Sequence, residues 1–110
     1  MKLVMLAAAL VIGVAGPAGA ADSEAVRTIV IQNHRFDPPV VNVPARVRVK
    51  LIIENRDATD EEFESRDLRR EKIVPSHSKA TLWVGPLPPG EYGFYGEFHQ
   101  KTAQGKLIAK

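Results

Sequence analysis

Arg46-Val47-Arg48-Val49-Lys50-Leu51-Ile52-Ile53-Glu54-Asn55 alternates apolar and charged side chains almost without a break. In extended backbone this puts Val47, Val49, Leu51 and Ile53 on one face and Arg48, Lys50 and Glu54 on the other, as in a strand with one side in a core and one in water. Upstream, residues 26–32 and 40–43 are β-branched runs bounded by Asn33, Pro38-Pro39 and Pro44, which predict shorter strands with turns between them. Downstream, residues 72–74 and 79–84 flank Pro75-Ser76-His77-Ser78 and predict a hairpin. Leu87-Pro88-Pro89-Gly90 turns the chain into a strand over 91–98, and residues 105–109 supply the last strand. Only residues 63–70 resist a strand reading, because charges dominate them. They predict a loop after the third strand, with Ser65 to Arg70 able to form one helical turn. About seven short strands separated by Pro and Gly turns predict an all-β Greek-key sandwich or barrel.

The start of the chain sets the compartment. Met1-Lys2 is followed by an apolar run from Leu3 to Ala15 and by the small, helix-breaking Gly16-Pro17-Ala18-Gly19-Ala20. This is the layout of a signal peptide, too short for the roughly 20 apolar residues of a membrane span, with cleavage expected before Ala21. The expected organisation is a signal peptide over 1–20 and one domain over 21–110, exported to the periplasm. A domain of this size holds a modest core and one binding site. Removing Lys2 lowers the formal charge from the +2 of the whole chain to +1, which gives no warrant for nucleic-acid binding. The chain has no cysteine, and its two methionines, Met1 and Met5, lie in the leader. A sulfur-free domain holds no disulfide, thiolate zinc, iron-sulfur cluster or cysteine-dependent copper centre.

Two segments carry ligand chemistry. In Glu62-Phe63-Glu64, extended backbone directs both carboxylates to one side and Phe63 to the other, and Glu97-Phe98-His99 repeats the spacing with a carboxylate and an imidazole. If the segments adjoin at one end of a sandwich, Glu62, Glu64, Glu97 and His99 converge as an oxygen-rich, one-nitrogen site suited to iron, manganese or Cu(II). Carboxylates gathered in this way hold protons more tightly unless a cation is present, and Arg66, Arg69 and Lys72 can supply part of that charge. The alternative is a solvated acidic loop whose charges pair with those bases.

Tyr92-Gly93-Phe94-Tyr95-Gly96-Glu97-Phe98-His99-Gln100 resembles the final ligand loop of cupredoxins. In plastocyanin-like members an aromatic-rich strand leads into a ligand cysteine, with a ligand histidine three residues on and usually a methionine after it. Phe36-Asp37-Pro38-Pro39, the strand over 47–55 and the segment from Val84 to Tyr92 also resemble cupredoxin positions, so the resemblance covers nearly the whole domain. It implies that His99 matches the later ligand histidine, that Gly96 stands at the cysteine position, and that the first histidine falls near Glu62 or Glu64. Gln104 lies where the axial methionine would fall, and a loop-packing role is preferred for it. The departures resemble the cupredoxin-like domains of EfeO-type periplasmic iron-uptake proteins. That resemblance implies a domain that binds iron or copper ions and works with a membrane iron permease, a periplasmic redox partner, or both.

His34, beside a turn, and His77, at the predicted hairpin tip, are read as structural or exposed rather than as ligands. No serine has an evident histidine and acid arrangement for nucleophilic catalysis. The leading expectation is a metal-binding protein that delivers Fe(II)/Fe(III) or Cu(II) to a permease. A ferroxidase that oxidises Fe(II) before transport, and a metal-free domain that docks a partner, are the alternatives.

Overall fold

The alternating run forms an inner strand of a sheet. In the computed structural model, which describes residues 24–110, the strands are β1 (Glu24–Gln32), β2 (Arg35–Asp37), β3 (Val40–Val43), β4 (Arg48–Asn55), β5 (Glu61–Ser65), β6 (Arg70–Val74), β7 (Lys79–Val84), β8 (Gly90–Gly96) and β9 (Gln104–Ala109). The predicted leader and its cleavage point lie outside the described residues. Val49, Leu51 and Ile53 of β4 are fully buried, as their alternation requires. Removing each from water contributes about 1.5–3 kcal/mol.

Two mixed sheets face each other. One has the order β2-β1-β4-β7 and the other β3-β9-β8-β5-β6. β1 runs parallel to β4 and β3 parallel to β9, and the remaining pairs are antiparallel. This is the predicted all-β, cupredoxin-like sandwich. Its core is filled by Ile29, Ile31, Val49, Leu51, Ile53 and Val84 from the first sheet and Val41, Phe63, Val74, Phe94 and Leu107 from the second. Phe36 meets Phe94 edge-on with ring centroids 5.0 Å apart, and Phe63 stacks on Phe94 at 5.0 Å.

Four local expectations are corrected. The segments around Pro75 are not a hairpin, because β6 pairs with β5 in one sheet and β7 with β4 in the other. The four residues between them cross the sandwich, tied down by the amide of His77 on the carbonyl of Asp57 and the amide of Ser76 on Asp60 Oδ1. Residues 63–65, predicted as loop, belong to β5, and only residues 66–69 form the turn. Ser65 Oγ accepts from the amide of Leu68 and donates to the carbonyl of Gly93, closing that turn against β8. The aromatic strand stops at Gly96, and Glu97–His99 is a single 3₁₀ turn. Finally, β2 forms an extra short hairpin with β1 through Asn33 and His34.

The topology brings four chain segments to one end of the sandwich. Ile31 pairs with Asn55, so the β1–β2 turn lies beside the end of β4. Phe63 pairs with Gly96, so the start of β5 lies beside the end of β8. This pole carries Asn33, His34, Asp57, Glu61, Gly96 and His99.

Candidate metal centre

β5 presents alternate residues to opposite faces. Glu61, Phe63 and Ser65 are buried, and Glu62 and Glu64 lie on the other face, half-buried. Glu62 and Glu64 do share a side, as their spacing predicts, but it is the outer side of the sheet. The residue that joins His99 is Glu61, 1% exposed, which the sequence reading passed over. One of its carboxylate oxygens, Oε1, accepts from the amides of Glu62 and Phe98, both at 2.9 Å. The other, Oε2, lies 2.6 Å from His99 Nδ1. A carboxylate only accepts, so Nδ1 carries the hydrogen and Nε2 is the ring nitrogen left for another partner.

Gly96 makes room for this carboxylate. A Cβ placed on Gly96 would lie 2.6 Å from Glu61 Cδ and Oε2 and 2.7 Å from Ala103 Cβ. Beyond Gly96 the backbone leaves the strand, so the period-two reading of Glu97-Phe98-His99 fails. Phe98 is 50% exposed rather than an anchor. Glu97 and His99 nevertheless line one open hollow of about 470 Å³ with Phe98, Gln100, Lys101 and Thr102. Glu97 and His99 thus line one hollow, and Glu62 and Glu64 lie elsewhere, in a cluster of their own.

His34 enters the same pole from the β1–β2 turn. Its ring stacks on His99 with centroids 3.6 Å apart and planes 11° from parallel. Asp57 holds the turn, accepting from the amides of Asn33 and His34 at 2.8 and 2.9 Å. The buried Asn55 supports Asp57 in turn, with Oδ1 accepting from the Asp57 amide and Nδ2 donating to the carbonyls of Thr59 and Val74. His77 is exposed on the crossing loop. Gln104 donates to the carbonyl of Gln100, packing the loop beyond His99.

On the outer face, Glu62, Glu64 and Glu71 each place an oxygen within 4.8 Å of the others. Glu64 Oε2 is shut off from solvent without a hydrogen-bond partner. Burial, and then the neighbouring Glu62, push the Glu64 carboxyl above the usual carboxylate range, against the lowering effects of Glu71 and Arg66. Glu71 was not foreseen; it faces Glu64 across the β5–β6 pair.

A thiolate copper centre does not fit these residues. The described chain has no sulfur, and the space a side chain at position 96 would use is filled by the Glu61 carboxylate. What the pole offers is a histidine oriented by a buried carboxylate, with an exposed carboxylate beside it. Carboxylate-backed histidine is the usual arrangement behind an imidazole that binds a metal.

Comparison with known proteins agrees with the fold. A family described as "Cupredoxin-like domain" matches residues 2–109. The uncharacterized protein RP394 of Rickettsia prowazekii (strain Madrid E) is 51% identical over 80 residues, which cover 73% of this chain and 64% of that one. The chain therefore spans about two thirds of the length of that relative. Among solved structures, auracyanin A, a "blue" copper protein of Chloroflexus aurantiacus, superposes with a TM-score of 0.68 at 13% identity, covering 79% of this chain and 99% of that one. The metal-binding domain of the Cu(I)-exporting P-type ATPase CopA of Streptococcus pneumoniae D39 gives 0.72 at 9% identity, covering 81% and 88%. Amicyanin of Paracoccus versutus gives 0.60 at 14% identity, covering 77% and 81%.

Proposed function

Since this chain belongs to the cupredoxin-like domain family yet has no thiolate to give a metal, we propose that it is an exported protein that carries iron, or Cu(II), on hard ligands at the pole of the sandwich. His99 is the primary donor, Glu61 orients it from inside, and Glu97 supplies a carboxylate from the same hollow. The observation that carries this reading is the 2.6 Å contact between the buried Glu61 carboxylate and His99 Nδ1. Burying a carboxylate is costly, and here the burial fixes one imidazole tautomer at the mouth of the domain. The metal is cargo, and the resemblance to iron-uptake domains supports delivery to a membrane permease in the periplasm. Fe(II) oxidation at the same place would need an electron acceptor that the described residues do not supply.

The test is calorimetric titration of the mature chain with Cu(II), and with Fe(II) under anaerobic conditions. His99→Ala abolishes binding, and Glu61→Gln weakens it by about 10–100-fold, the usual effect of losing an orienting partner. Glu62→Gln and Glu64→Gln leave it within a few-fold. Unchanged affinity in both His99→Ala and Glu61→Gln overturns the assignment. A metal-free docking domain is the second reading, favoured by the complete satisfaction of the Glu61 carboxylate by protein donors. It predicts no uptake of either ion.

A further inference from the structure

Asn33 and His34 both have left-handed backbones, with φ of 54° and 58°, at the two-residue turn between β1 and β2. Turns of this kind favour asparagine followed by glycine, because positive φ presses the Cβ of other residues against the backbone. Asn33 suits its place and is exposed. His34 stands where glycine is preferred, and it is half-buried, with its ring flat on His99 at 3.6 Å between centroids and 11° from parallel. Backbone strain of this kind collects where a side chain has a task.

The face contact is what places the His34 imidazole, since its ring makes one weak polar contact, Thr59 Oγ1 at 3.4 Å from Nε2. The backbone beneath it is firmly built. Asp57 Oδ2 accepts from the His34 amide at 2.9 Å, and the buried Asn55 holds the Asp57 amide while donating to the carbonyls of Thr59 and Val74. The turn that carries His34 is thereby tied to the ends of β4 and β6.

His99 has a use for such a support. Glu61 grips it at one atom, Nδ1, which sets the tautomer but leaves the ring free to rock about that contact. The His99 side chain is also 23% exposed, so water lies beside it. A second ring lying flat on the imidazole resists rocking, because tilting either ring breaks the face contact, and it keeps water off that face. Stacked rings direct their nitrogens along nearly parallel planes, so His34 acts on an ion at His99 only through His99.

We infer that His34 is a positioning residue for His99. Glu61 holds the edge of the His99 imidazole and His34 holds its face, so tautomer and ring plane are both fixed and Nε2 keeps one direction. The use of that imidazole for metal rests on the reading of the pole given above. The positioning itself is a property of the metal-free chain and is tested there.

The readout is exchange of the His99 Nδ1 proton with water, followed by NMR in the isotopically labelled mature chain free of metal, for wild type, His34→Phe and His34→Asn. His34→Phe keeps a ring and loses both nitrogens. His34→Asn loses the ring and tolerates positive φ, so the turn survives. Exchange quickens at least about tenfold in His34→Asn and stays within about threefold of wild type in His34→Phe. Unchanged exchange in His34→Asn overturns the inference, even where that variant melts lower, because a ring that only packs leaves the Nδ1 proton as it was. Exchange as fast in His34→Phe as in His34→Asn also overturns it, since the ring nitrogens and not the ring face would then matter. Titration of the same proteins with Cu(II) alone is the second arm: affinity falls about tenfold in His34→Asn and is restored in His34→Phe. Wild-type Cu(II) affinity in His34→Asn overturns the role at the metal. Absence of Cu(II) uptake by the wild type, with the exchange result as expected, removes the pole reading and supports the positioning of His99 by His34.

Discussion

Glu61, Gly96 and His99 act as one unit, in which the absence of a side chain at one position is what lets the carboxylate of another reach the third. Because the Cβ of any residue at 96 would meet Glu61 at 2.6 Å and Ala103 at 2.7 Å, Gly96→Ala lowers stability by about 1–3 kcal/mol in urea denaturation. Combined with Glu61→Ala it costs less than the sum of the two changes, since one of the two clashes is gone. His99→Ala strips the donor from Glu61 Oε2 and lowers stability by about 1–3 kcal/mol, the cost of a buried acceptor left unpaired. Additive effects in the first pair would contradict the contact. His99 and Gly96 were legible from the resemblance of residues 92–100. Glu61 was not, because Asp60-Glu61-Glu62 reads as surface acid. A signal was nevertheless present: Glu61 shares the parity of Phe63, the residue expected to anchor the strand, so a buried Phe63 places Glu61 inside as well.

At the scale of elements, period-two reasoning succeeds in β5 and fails one residue past β8. Glu62 and Glu64 do lie on one face, but a strand pattern gives sides without saying which side holds the second cluster. That depends on how β5 pairs with β8, a contact between residues more than thirty apart in sequence. Glu97-Phe98-His99 has the same composition rhythm, yet it is a 3₁₀ turn, where residues one and three no longer share a face. The outer carboxylates make their own prediction. The folded-state pKa of Glu64 lies above its ordinary value, so the folded chain holds that proton more tightly than the unfolded chain. The stabilisation is complete below the ordinary carboxylate range and is lost as pH rises through the raised value. In melts between neutral and mildly acidic pH, wild type gains stability on acidification relative to Glu64→Gln, whose response is flatter. A constant difference between the two across that range would contradict this account.

For the whole molecule, the sandwich was readable because alternation, β-branched runs and Pro/Gly turns all agree over residues 24–55 and 79–109. The crossing at residues 75–78 was not, since a four-residue loop between strands is compatible with a hairpin. The choice is made by Val74 and Val84, which are buried from opposite sheets. The core that results depends on the contact of Phe36, Phe63 and Phe94, and Phe63→Ala costs about 3–5 kcal/mol in denaturant unfolding. Phe63 also fixes the face on which Glu61 lies, so the same core that holds the sheets together aims the pole.

The central claim is that metal enters at that pole and not at the outer acidic cluster. Substoichiometric Fe(II), added anaerobically to the isotopically labelled mature chain, locates it through paramagnetic broadening of amide resonances. The amides of Gly96, Phe98 and His99 are expected to broaden first, with those of His34 following. Earlier broadening at Glu62, Glu64 and Glu71, with Gly96 and His99 sharp, would contradict the account.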